Sequence, residues 1–465
     1  MRIEKDTMGE MKLPDDSYYG PQTQRAFQNF QISSLKIPRP MIASIAMIKR
    51  SAASVNHKLG LLEPKIKDAI IKASDEVIQG KFDNQFIVDV YQTGSGTSSN
   101  MNANEIIANR ACEILKGKRG DKSLVHPNDH VNLGQSSNDV IPTSIHISTT
   151  IELVKRLIPE LKLLKKSLNK KTKEFNKIIK IGRTHLQDAT PITLGQEFSG
   201  YTQMIDNSIA RVENNLPLLC QLAQGGTAVG TGINTHKDFG HLVAQEISKN
   251  TSIDFKEAQN HFEAQATQDS IVHLSGSLKT LAVSLHKIAN DIRWLGSGPR
   301  SGLGELILPP VQPGSSIMPG KVNPVICESL IQISAQVIGY DSAITLGGLG
   351  GFFELNLMLP LIGSNILESI NILSNGIKMF RLNLVDGLKA NENKCMDYIE
   401  DSLAMCTSLA PIIGYDKAAK IAKKAYKKNK TIRQICLEEK ILTTDELQKI
   451  LDPYNMIAPN DRTQK

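Results

Sequence analysis

Residues 314–324 read Gly-Ser-Ser-Ile-Met-Pro-Gly-Lys-Val-Asn-Pro, a stretch that stands directly before a long apolar helix pattern. Gly314 and Gly320 permit backbone angles that other residues resist. Pro324 suits the first position of a helix, and Asn323 before it is a good N-cap. The stretch therefore predicts a mobile loop that ends on a helix, although a plain linker is the usual explanation for such a cluster.

Four polar side chains of this loop belong together at the predicted helix start. They are the hydroxyls of Ser315 and Ser316, the ammonium of Lys321 and the amide of Asn323. A helix N-terminus presents unpaired N–H groups and the positive end of the helix dipole, so it favours anions. The loop is therefore a candidate anion-binding site.

Apolar residues after the loop recur at alternating spacings of three and four, which is the pattern of a helix seam. They are Ile326, Leu330, Ile333, Val337, Tyr340 and Ile344. Similar seams begin at Val154, Phe198, Ile271 and Ile366 and end at Leu168, Leu216, Leu295 and Leu384. The stretch from Ile271 to Leu295 would span roughly 37 Å. Helices of this length must pack in a bundle, within the chain or with other chains.

The composition also favours a helical protein. Of the 465 residues, 40% are hydrophobic but only 5% are aromatic, so the cores must be aliphatic. Aliphatic cores favour helices packed on helices over a β-sandwich. The net charge of +7 suits an anionic substrate. Basic residues interleave with acidic ones and aromatics are too few for base stacking, so nucleic acid is not an expected partner.

Cysteine usage and the N-terminal residues bear on the compartment. None of the six cysteines forms a C-x-x-C pair, which indicates free thiols in a reducing compartment. Met1–Lys12 mixes charges of both signs, unlike a secretion signal or a transit peptide. No apolar run approaches the roughly 18 residues that cross a bilayer. We expect a cytoplasmic protein without a membrane segment.

Three domains are expected along the chain. Residues 1–135 mix short extended pieces with helical patterns, and residues 136–392 hold the long seams. Residues 393–465 form a smaller part that contains a capping box, Thr443-x-x-Glu446. The prediction is a mainly α chain with an N-terminal domain, a central long-helix bundle and a small helical C-terminal domain.

Two further segments combine small and polar residues before predicted helices. Thr93–Asn102 precedes a predicted helix over Glu105–Leu115, and Gln135–Asp139 precedes another apolar helix. Such clusters are commonly simple turns and caps, but they can also grip a carboxylate. The candidate binding residues are Ser95, Gly96, Thr97, Ser136, Ser137 and Asn138.

His126 and His130 stand four residues apart, which is a spacing found in zinc sites. A zinc site needs three or four ligands, and the neighbouring sequence supplies no clear third one. We therefore expect no metal here. Pro127 and Asn128 instead indicate the start of a helix.

His185 lies in the segment Lys180–Ala189, after an apolar stretch and before a predicted helix. A histidine can move protons near neutral pH, although a lone histidine is more often a structural residue. A carboxylate partner would fix its tautomer. Glu328, one turn into the helix after the 314–324 loop, is the candidate.

Five blocks of the chain together resemble the fumarase/aspartase superfamily, and within it the class II fumarase family. The blocks are Ser95–Glu105, Val125–Asp139, Lys180–Tyr201, Leu222–Asn234 and Gly314–Glu328. Aspartases typically carry Gln in place of His185 and Ala in place of Gly320, so both positions side with fumarase. Gly134 and Ser98 depart from the usual pattern without touching the expected chemistry.

The resemblance implies reversible hydration of fumarate to (S)-malate without a cofactor, by anti addition through an aci-carboxylate carbanion. Ser315 would act as the base at carbon, and His185, oriented by Glu328, would activate water. The implied substrate-binding residues are Ser95, Gly96, Thr97, Ser136, Ser137, Asn138, Thr184, Ser316, Lys321, Val322 and Asn323. A second, non-catalytic anion site is implied at His126, Pro127, Asn128 and Asp129.

The resemblance also implies a homotetramer whose active sites are shared between subunits and whose substrate is a small dicarboxylate. Aspartate ammonia-lyase, or another lyase of the superfamily, is the alternative. A helical scaffold that has lost catalysis is a third possibility. The presence of Ser315, Lys321, His185 and Glu328 together disfavours the scaffold.

Overall fold

The structure is a computed structural model that describes residues 1–459. Eighteen α-helices occur in this part of the chain, which confirms the prediction of a mainly α fold. They are α1 (Pro21–Asn29), α2 (Arg39–Lys58), α3 (Pro64–Ile78), α4 (Thr97–Ile114), α5 (Ser137–Glu152), α6 (Ile158–Glu174), α7 (Leu194–Glu213), α8 (Leu216–Leu219), α9 (Phe239–Thr251), α10 (His261–Ala266), α11 (Asp269–Leu295), α12 (Val325–Gly348), α13 (Leu359–Asn383), α14 (Glu392–Asp401), α15 (Ala410–Ile413), α16 (Tyr415–Lys428), α17 (Ile432–Glu438) and α18 (Thr444–Ile450). Across the same residues, no helix is long and apolar enough to cross a membrane.

Strands are short and form five two-stranded sheets in the described chain. They are β1 (Arg2–Asp6), β2 (Gly9–Leu13), β3 (Ile179–Thr184), β4 (Gln187–Thr193), β5 (Gln221–Leu222), β6 (Lys256–Glu257), β7 (Leu306–Ile307), β8 (Gly351–Phe352), β9 (Leu355–Asn356) and β10 (Lys389–Ala390). Strands β5 and β6 pair in parallel, and the other four pairs are antiparallel.

Contacts group the chain into two compact units, each made of several segments. The first unit contains Met1–Pro159, Ile209–Ala282 and Ile333–Ser374, and the second contains Glu160–Ser208, Val283–Gln332 and the described residues 375–459. In the first unit α2 packs on α3, α5 and α9. The division into three consecutive domains stays a prediction.

The predicted seams are buried in four of the five long helices. All eight seam residues of α11, from Ile271 to Leu295, are buried, as are the six from Ile366 in α13 to Leu384 just after it. Two predicted seam positions at helix ends differ. Val154 is exposed in a short π-helical turn, Leu153–Leu157, and Leu216 is half-buried at the start of α8.

Helix α12 buries half of the predicted line of residues, namely Leu330, Val337 and Ile344. Of the predicted set, Ile326, Ile333 and Tyr340 are only half-buried. The fully buried positions between the apolar ones include Ser334 and Asp341. The carboxylate of Asp341 accepts hydrogen bonds at 2.7 Å from Ser275 and from Lys279 on α11. A polar residue paired in this way can lie in a seam, and an apolar periodicity does not reveal it.

Helix α4 begins at Thr97, eight residues before the predicted start at Glu105. The polar residues from Thr97 to Asn102 are therefore helical, and the preceding loop is shorter than expected. Gly96 precedes the helix in the left-handed conformation, with φ of 71°. A glycine tolerates this conformation, which sharpens the turn into the helix.

The segment around His185 forms a β-hairpin, which the sequence did not predict. Strands β3 and β4 pair from Ile179 with Thr193 to Thr184 with Gln187. His185 and Leu186 form the two-residue turn with φ of 55° and 59°. Positive φ at both turn positions matches the twist of a tight hairpin, but such turns usually carry Asn or Gly. The missing turn residues explain why the hairpin had no sequence signal.

The C-terminal helices share a hydrophobic core with this hairpin. Ile179 and Ile181 of β3 belong to the same buried cluster as Ile399 of α14, Ile421 of α16 and Ile435 of α17. The capping box at Thr443 and Glu446 is present at the start of α18. The base of the hairpin is therefore held by residues from the end of the chain.

Candidate active site

Three hydroxyl groups line up where α4 and α5 begin. Ser95 Oγ lies 2.8 Å from Thr97 Oγ1, which lies 2.7 Å from Ser137 Oγ. Thr97 is the first residue of α4 and Ser137 is the first residue of α5. Both helix N-termini therefore support a row of hydroxyls that can donate to a carboxylate.

Glycine is required next to this row. A Cβ atom on Gly94 would lie 2.0 Å from the carbonyl oxygen of Leu357, and one on Gly96 would lie 3.0 Å from Ile141. No side chain fits at Gly94 without moving the backbone. The close approach fixes the path of the chain into Ser95 and Thr97.

Asp139 holds the start of α5 and is a residue whose role the sequence analysis missed. Its carboxylate accepts from the backbone N–H of Ser136 at 2.9 Å, of Gly225 at 3.1 Å and of Thr227 at 3.0 Å. Burial raises the pKa of Asp139 to about 6, against the lowering effect of these hydrogen bonds. The spacing Ser136-x-x-Asp139 is a capping-box signal that would have identified it.

Asn138 is oriented by the segment 225–228, which also supplies the Gly225 and Thr227 N–H groups to Asp139. Its Nδ2 donates to the carbonyl oxygen of Ala228 at 2.7 Å. Ser136 caps α5, since its side chain accepts from the backbone N–H of Asn138 at 3.2 Å. The structure therefore brings Ser95, Gly96, Thr97, Ser136, Ser137 and Asn138 together in the first unit.

The loop at residues 314–323 closes on itself in the second unit. The N–H of Gly314 donates to Lys321 O at 2.8 Å, and Asn323 Nδ2 donates to Gly314 O at 2.7 Å. Asn323 thus closes the loop with its amide nitrogen. A Cβ on Gly314 would lie 2.5 Å from Lys321 O, which excludes a side chain there. The loop lines a cleft of about 450 Å³.

Ser315 is the most constrained hydroxyl of this loop. Its Oγ accepts hydrogen bonds from the backbone N–H of Ile317 at 3.2 Å and of Met318 at 3.0 Å. Two donors aimed at one oxygen stabilise negative charge on that oxygen. Ser316, Lys321 and Val322 are exposed along the same loop.

His185 and Thr184 lie exposed at the hairpin turn, in the same unit as the loop. Within residues 1–459 no hydrogen bond or ion pair joins His185 to the exposed side chain of Glu328. The pair expected to act together is therefore not formed inside one chain. Behind the turn, Arg183 donates to both oxygens of the fully buried Glu305, at 2.8 Å and 3.1 Å.

The two histidines of the 126–130 segment face their own backbone. His126 Nδ1 accepts from the N–H of Asn128 at 3.2 Å and of Asp129 at 3.1 Å, and so caps a π-helical turn, Pro127–Val131. His130 Nδ1 accepts from the N–H of His126 at 2.8 Å. In the neutral imidazole of His126 the proton then sits on Nε2, which can donate to an anion. No group of three metal-ligating side chains occurs in the described chain.

Comparison with known proteins places these features in a family. Residues 9–339 match the family described as Lyase, and residues 405–458 match the family described as Fumarase C C-terminus. The chain is 53% identical to the mitochondrial fumarate hydratase of Saccharomyces cerevisiae, over 98% of this chain and 94% of that protein. It is 51% identical to the class II fumarate hydratase of Methylorubrum extorquens, over 99% of this chain and 97% of that protein.

The fold is similar to solved structures of the same kind. Recombinant class II fumarase from Schistosoma mansoni matches with a TM-score of 0.96 at 40% identity, covering 99% of this chain and 100% of that one. A fumarate lyase:delta crystallin from Brucella melitensis matches with a TM-score of 0.94 at 44% identity, covering 98% and 100%. Matches of this extent, together with the lyase family match, mean that the chain belongs to the class II fumarate hydratase family.

Proposed function

We propose that this protein catalyses the reversible hydration of fumarate to (S)-malate, a step of the tricarboxylic acid cycle, without a metal or cofactor. The observation that carries the proposal is the Ser315 oxygen, which two backbone N–H groups hold in the glycine-hinged loop. The close similarity to fumarate hydratases over the whole chain supports it independently.

Ser315 is proposed as the base. In the dehydration direction its alkoxide takes the proton from the carbon next to the hydroxyl-bearing carbon of malate, and the electron pair moves into the adjacent carboxylate. A hydrogen bond to a charged group contributes about 1.5–3 kcal/mol, so the two amides stabilise the alkoxide by roughly 3–6 kcal/mol. The ammonium of Lys321 and the start of α12 add positive potential to the same loop.

His185 is proposed as the acid that protonates the departing hydroxyl, and in hydration as the base that activates water. Glu328 would accept from the imidazole and fix its tautomer. Because no hydrogen bond joins these two side chains within one chain, we propose that they meet between subunits. The active site is then shared, and an isolated subunit is inactive.

Exposed apolar side chains support a homotetramer. Leu346 and Leu349 at the end of α12 are 64% and 73% exposed, and Phe352 and Phe353 in the following hairpin are 65% and 93% exposed. Clustered exposed apolar side chains of this size indicate a protein interface. We propose that copies of this chain cover them in a bundle of long helices.

The residues proposed to bind the dicarboxylate belong to the hydroxyl row, to the His185 hairpin and to the 314–323 loop. Ser95, Thr97 and Ser137 would donate to one carboxylate. The remaining proposed binding residues are Gly96, Ser136, Asn138, Thr184, Ser316, Lys321, Val322 and Asn323. His126–Asp129 are proposed as a second anion site, where His126 Nε2 would donate to the anion.

The decisive assay follows the ultraviolet absorbance of fumarate in three parallel reactions of the purified protein. One reaction starts from fumarate, one from malate and one from fumarate plus ammonia. Ser315→Ala should lower kcat severely, and His185→Asn should lower it by about 10²–10⁴-fold. The matched control His126→Asn should leave kcat within a few-fold of wild type. Consumption of fumarate only with ammonia would mean an ammonia-lyase instead. Full turnover in Ser315→Ala would mean that another group is the base.

We further propose a cytoplasmic location and the three-domain division at about residues 135 and 392. All six cysteines are free thiols, which suits a reducing compartment. Fractionation of the source cells tests the location, and recovery in mitochondria would contradict it. Limited proteolysis tests the division, and cuts confined to other regions would contradict it.

A further inference from the structure

Lys49 on α2 is completely buried, with 0% of its surface exposed. Its Nζ donates to Asn132 Oδ1 at 2.8 Å and to Gln135 Oε1 at 3.0 Å. Neither partner is a carboxylate. Burying an ammonium without a contacting anion costs free energy that an apolar side chain of similar size would not cost. A purely structural position would therefore be better filled by methionine.

Asn132 is the point at which three elements meet. Its Oδ1 also accepts from Nδ2 of Asn104 at 3.2 Å and of Asn100 at 3.3 Å, both on α4. Its own Nδ2 donates to Gln135 O at 3.1 Å. The ammonium of Lys49 on α2 thus binds the 132–135 segment directly, and it is linked to α4 through Asn132.

These elements carry two of the three hydroxyls of the row, those of Thr97 and Ser137. Thr97 is the first residue of α4, and the 132–135 segment runs directly into Ser136 and Ser137 at the start of α5. The Thr97 and Ser137 oxygens are 2.7 Å apart. Their spacing depends on how α4 and the 132–135 segment are held together, and the Lys49–Asn132 contact lies at that junction.

We propose that Lys49 is a positioning residue for the substrate carboxylate, acting through Asn132 and Gln135 on the hydroxyls of Thr97 and Ser137. This inference rests on the proposed function of the hydroxyl row as a carboxylate site. Loss of the ammonium should loosen substrate binding in the ground state and the transition state alike, so it should raise KM more than it lowers kcat.

The charge state of Lys49 gives the proposal a distinctive readout. Burial lowers the pKa of Lys49 to about 7, and the field of Asp139 on α5 partly opposes this effect. The groups that touch the ammonium from the 132–135 segment are amides. KM for fumarate should therefore rise as the pH passes upward through about 7, because the neutral amine no longer makes charge-assisted hydrogen bonds.

The test measures KM and kcat for fumarate between about pH 6 and 9 in wild type, Lys49→Met and Lys171→Met. Lys171 is a matched control: it is 5% exposed, and its Nζ donates to Glu174 at 3.0 Å and to Leu388 O at 2.7 Å, neither of which is a proposed site residue. Lys49→Met should raise KM at pH 6 about ten-fold, keep kcat within about three-fold and lose the rise of KM with pH. Lys171→Met should keep the wild-type values.

A second variant keeps the proposal testable if Lys49→Met does not fold. Asn132→Asp keeps the shape of the partner and places a carboxylate beside the ammonium, which should move the rise of KM to higher pH. An unmoved rise would overturn the proposal, and so would wild-type KM values in folded Lys49→Met. Absence of turnover in the wild type would instead overturn the proposed function, so the two failures are distinguishable.

Discussion

Arg183→Met tests how the turn that carries His185 is held. Both oxygens of the fully buried Glu305 accept from Arg183, at 2.8 Å and 3.1 Å. Lys180 Nζ lies 3.6 Å from the same carboxylate. Methionine keeps part of the apolar stem and removes the guanidinium. Glu305 is then left with the longer contact to Lys180.

The expected loss of stability follows from this geometry. Removing one partner of a buried ion pair costs about 3–5 kcal/mol, because a buried charge is left uncompensated. Lys180 offsets part of this cost, so we expect a loss of about 3 kcal/mol. The double variant Arg183→Met/Glu305→Gln removes the orphaned charge and should be more stable than Arg183→Met alone.

The assay is urea unfolding followed by circular dichroism at one fixed protein concentration, because the stability of an oligomer depends on concentration. Turnover of fumarate is measured below the unfolding transition. A displaced His185 turn should lower kcat by about 100-fold. The control Lys165→Met breaks a partly exposed ion pair with Asp206 and should cost less than about 1 kcal/mol.

Two results would refute the reasoning about the Arg183–Glu305 pair. One is a urea midpoint for Arg183→Met equal to that of the wild type. The other is strict additivity, in which the double variant loses the sum of the two single losses. Additivity would mean that Arg183 and Glu305 do not stabilise each other.

Four further outcomes are expected. The free energy of unfolding should rise between about pH 7 and 10, with a slope of up to about 1.4 kcal/mol per pH unit. Burial lowers the pKa of Lys49 to about 7, so in this range the folded chain has lost a proton that the unfolded chain keeps. Urea midpoints should show this slope in wild type and lose it in Lys49→Met. Gly94→Ala should lower the free energy of unfolding by more than about 3 kcal/mol, because the added Cβ would lie 2.0 Å from Leu357 O. In the same unfolding assay the control Gly200→Ala, whose Cβ would meet no atom within 4 Å, should be neutral or stabilising. Phe353→Ser should shift the mass in light scattering toward the 51.1 kDa of one chain, and a mass equal to that of the wild type would exclude Phe353 from the proposed interface. EDTA should leave turnover unchanged, and loss of activity restored by zinc or iron would contradict a metal-free mechanism.

The helical architecture was predictable because the apolar periodicity marks the buried face in four of the five long helices. In α11 each predicted seam residue is buried. In α12 the prediction was only partly right, since Ser334 and Asp341 occupy buried positions that an apolar pattern cannot include. Hydrogen bonds from Ser275 and Lys279 make Asp341 acceptable there, and they come from a helix distant in sequence. Tertiary pairing of this kind is invisible in one stretch of chain.

The geometry of the candidate site was predictable where one short motif carries both a turn and the side chains proposed for the chemistry. The 314–324 loop is such a motif, and Ser315 lies in it with two backbone donors. Lys49 and Asp139 were not predicted as a group because charged residues in helices usually lie at the surface. The hairpin below His185 was missed because Leu186 is an unusual residue for positive φ and the turn lacks the Asn or Gly that marks a tight hairpin.

The shared core of the His185 hairpin and the C-terminal helices has a consequence for synthesis of the chain. Tyr454 OH donates to Lys177 O, at the base of the hairpin, across 277 positions of sequence. At about 5–20 residues per second, a ribosome needs roughly 15–55 s to make the intervening chain. Until then Ile179 and Ile181 lack their C-terminal packing partners. The core at the base of the His185 hairpin should therefore be completed only after α14–α18 have been made, so a nascent chain that stalls before them exposes apolar strand surface that a chaperone can bind.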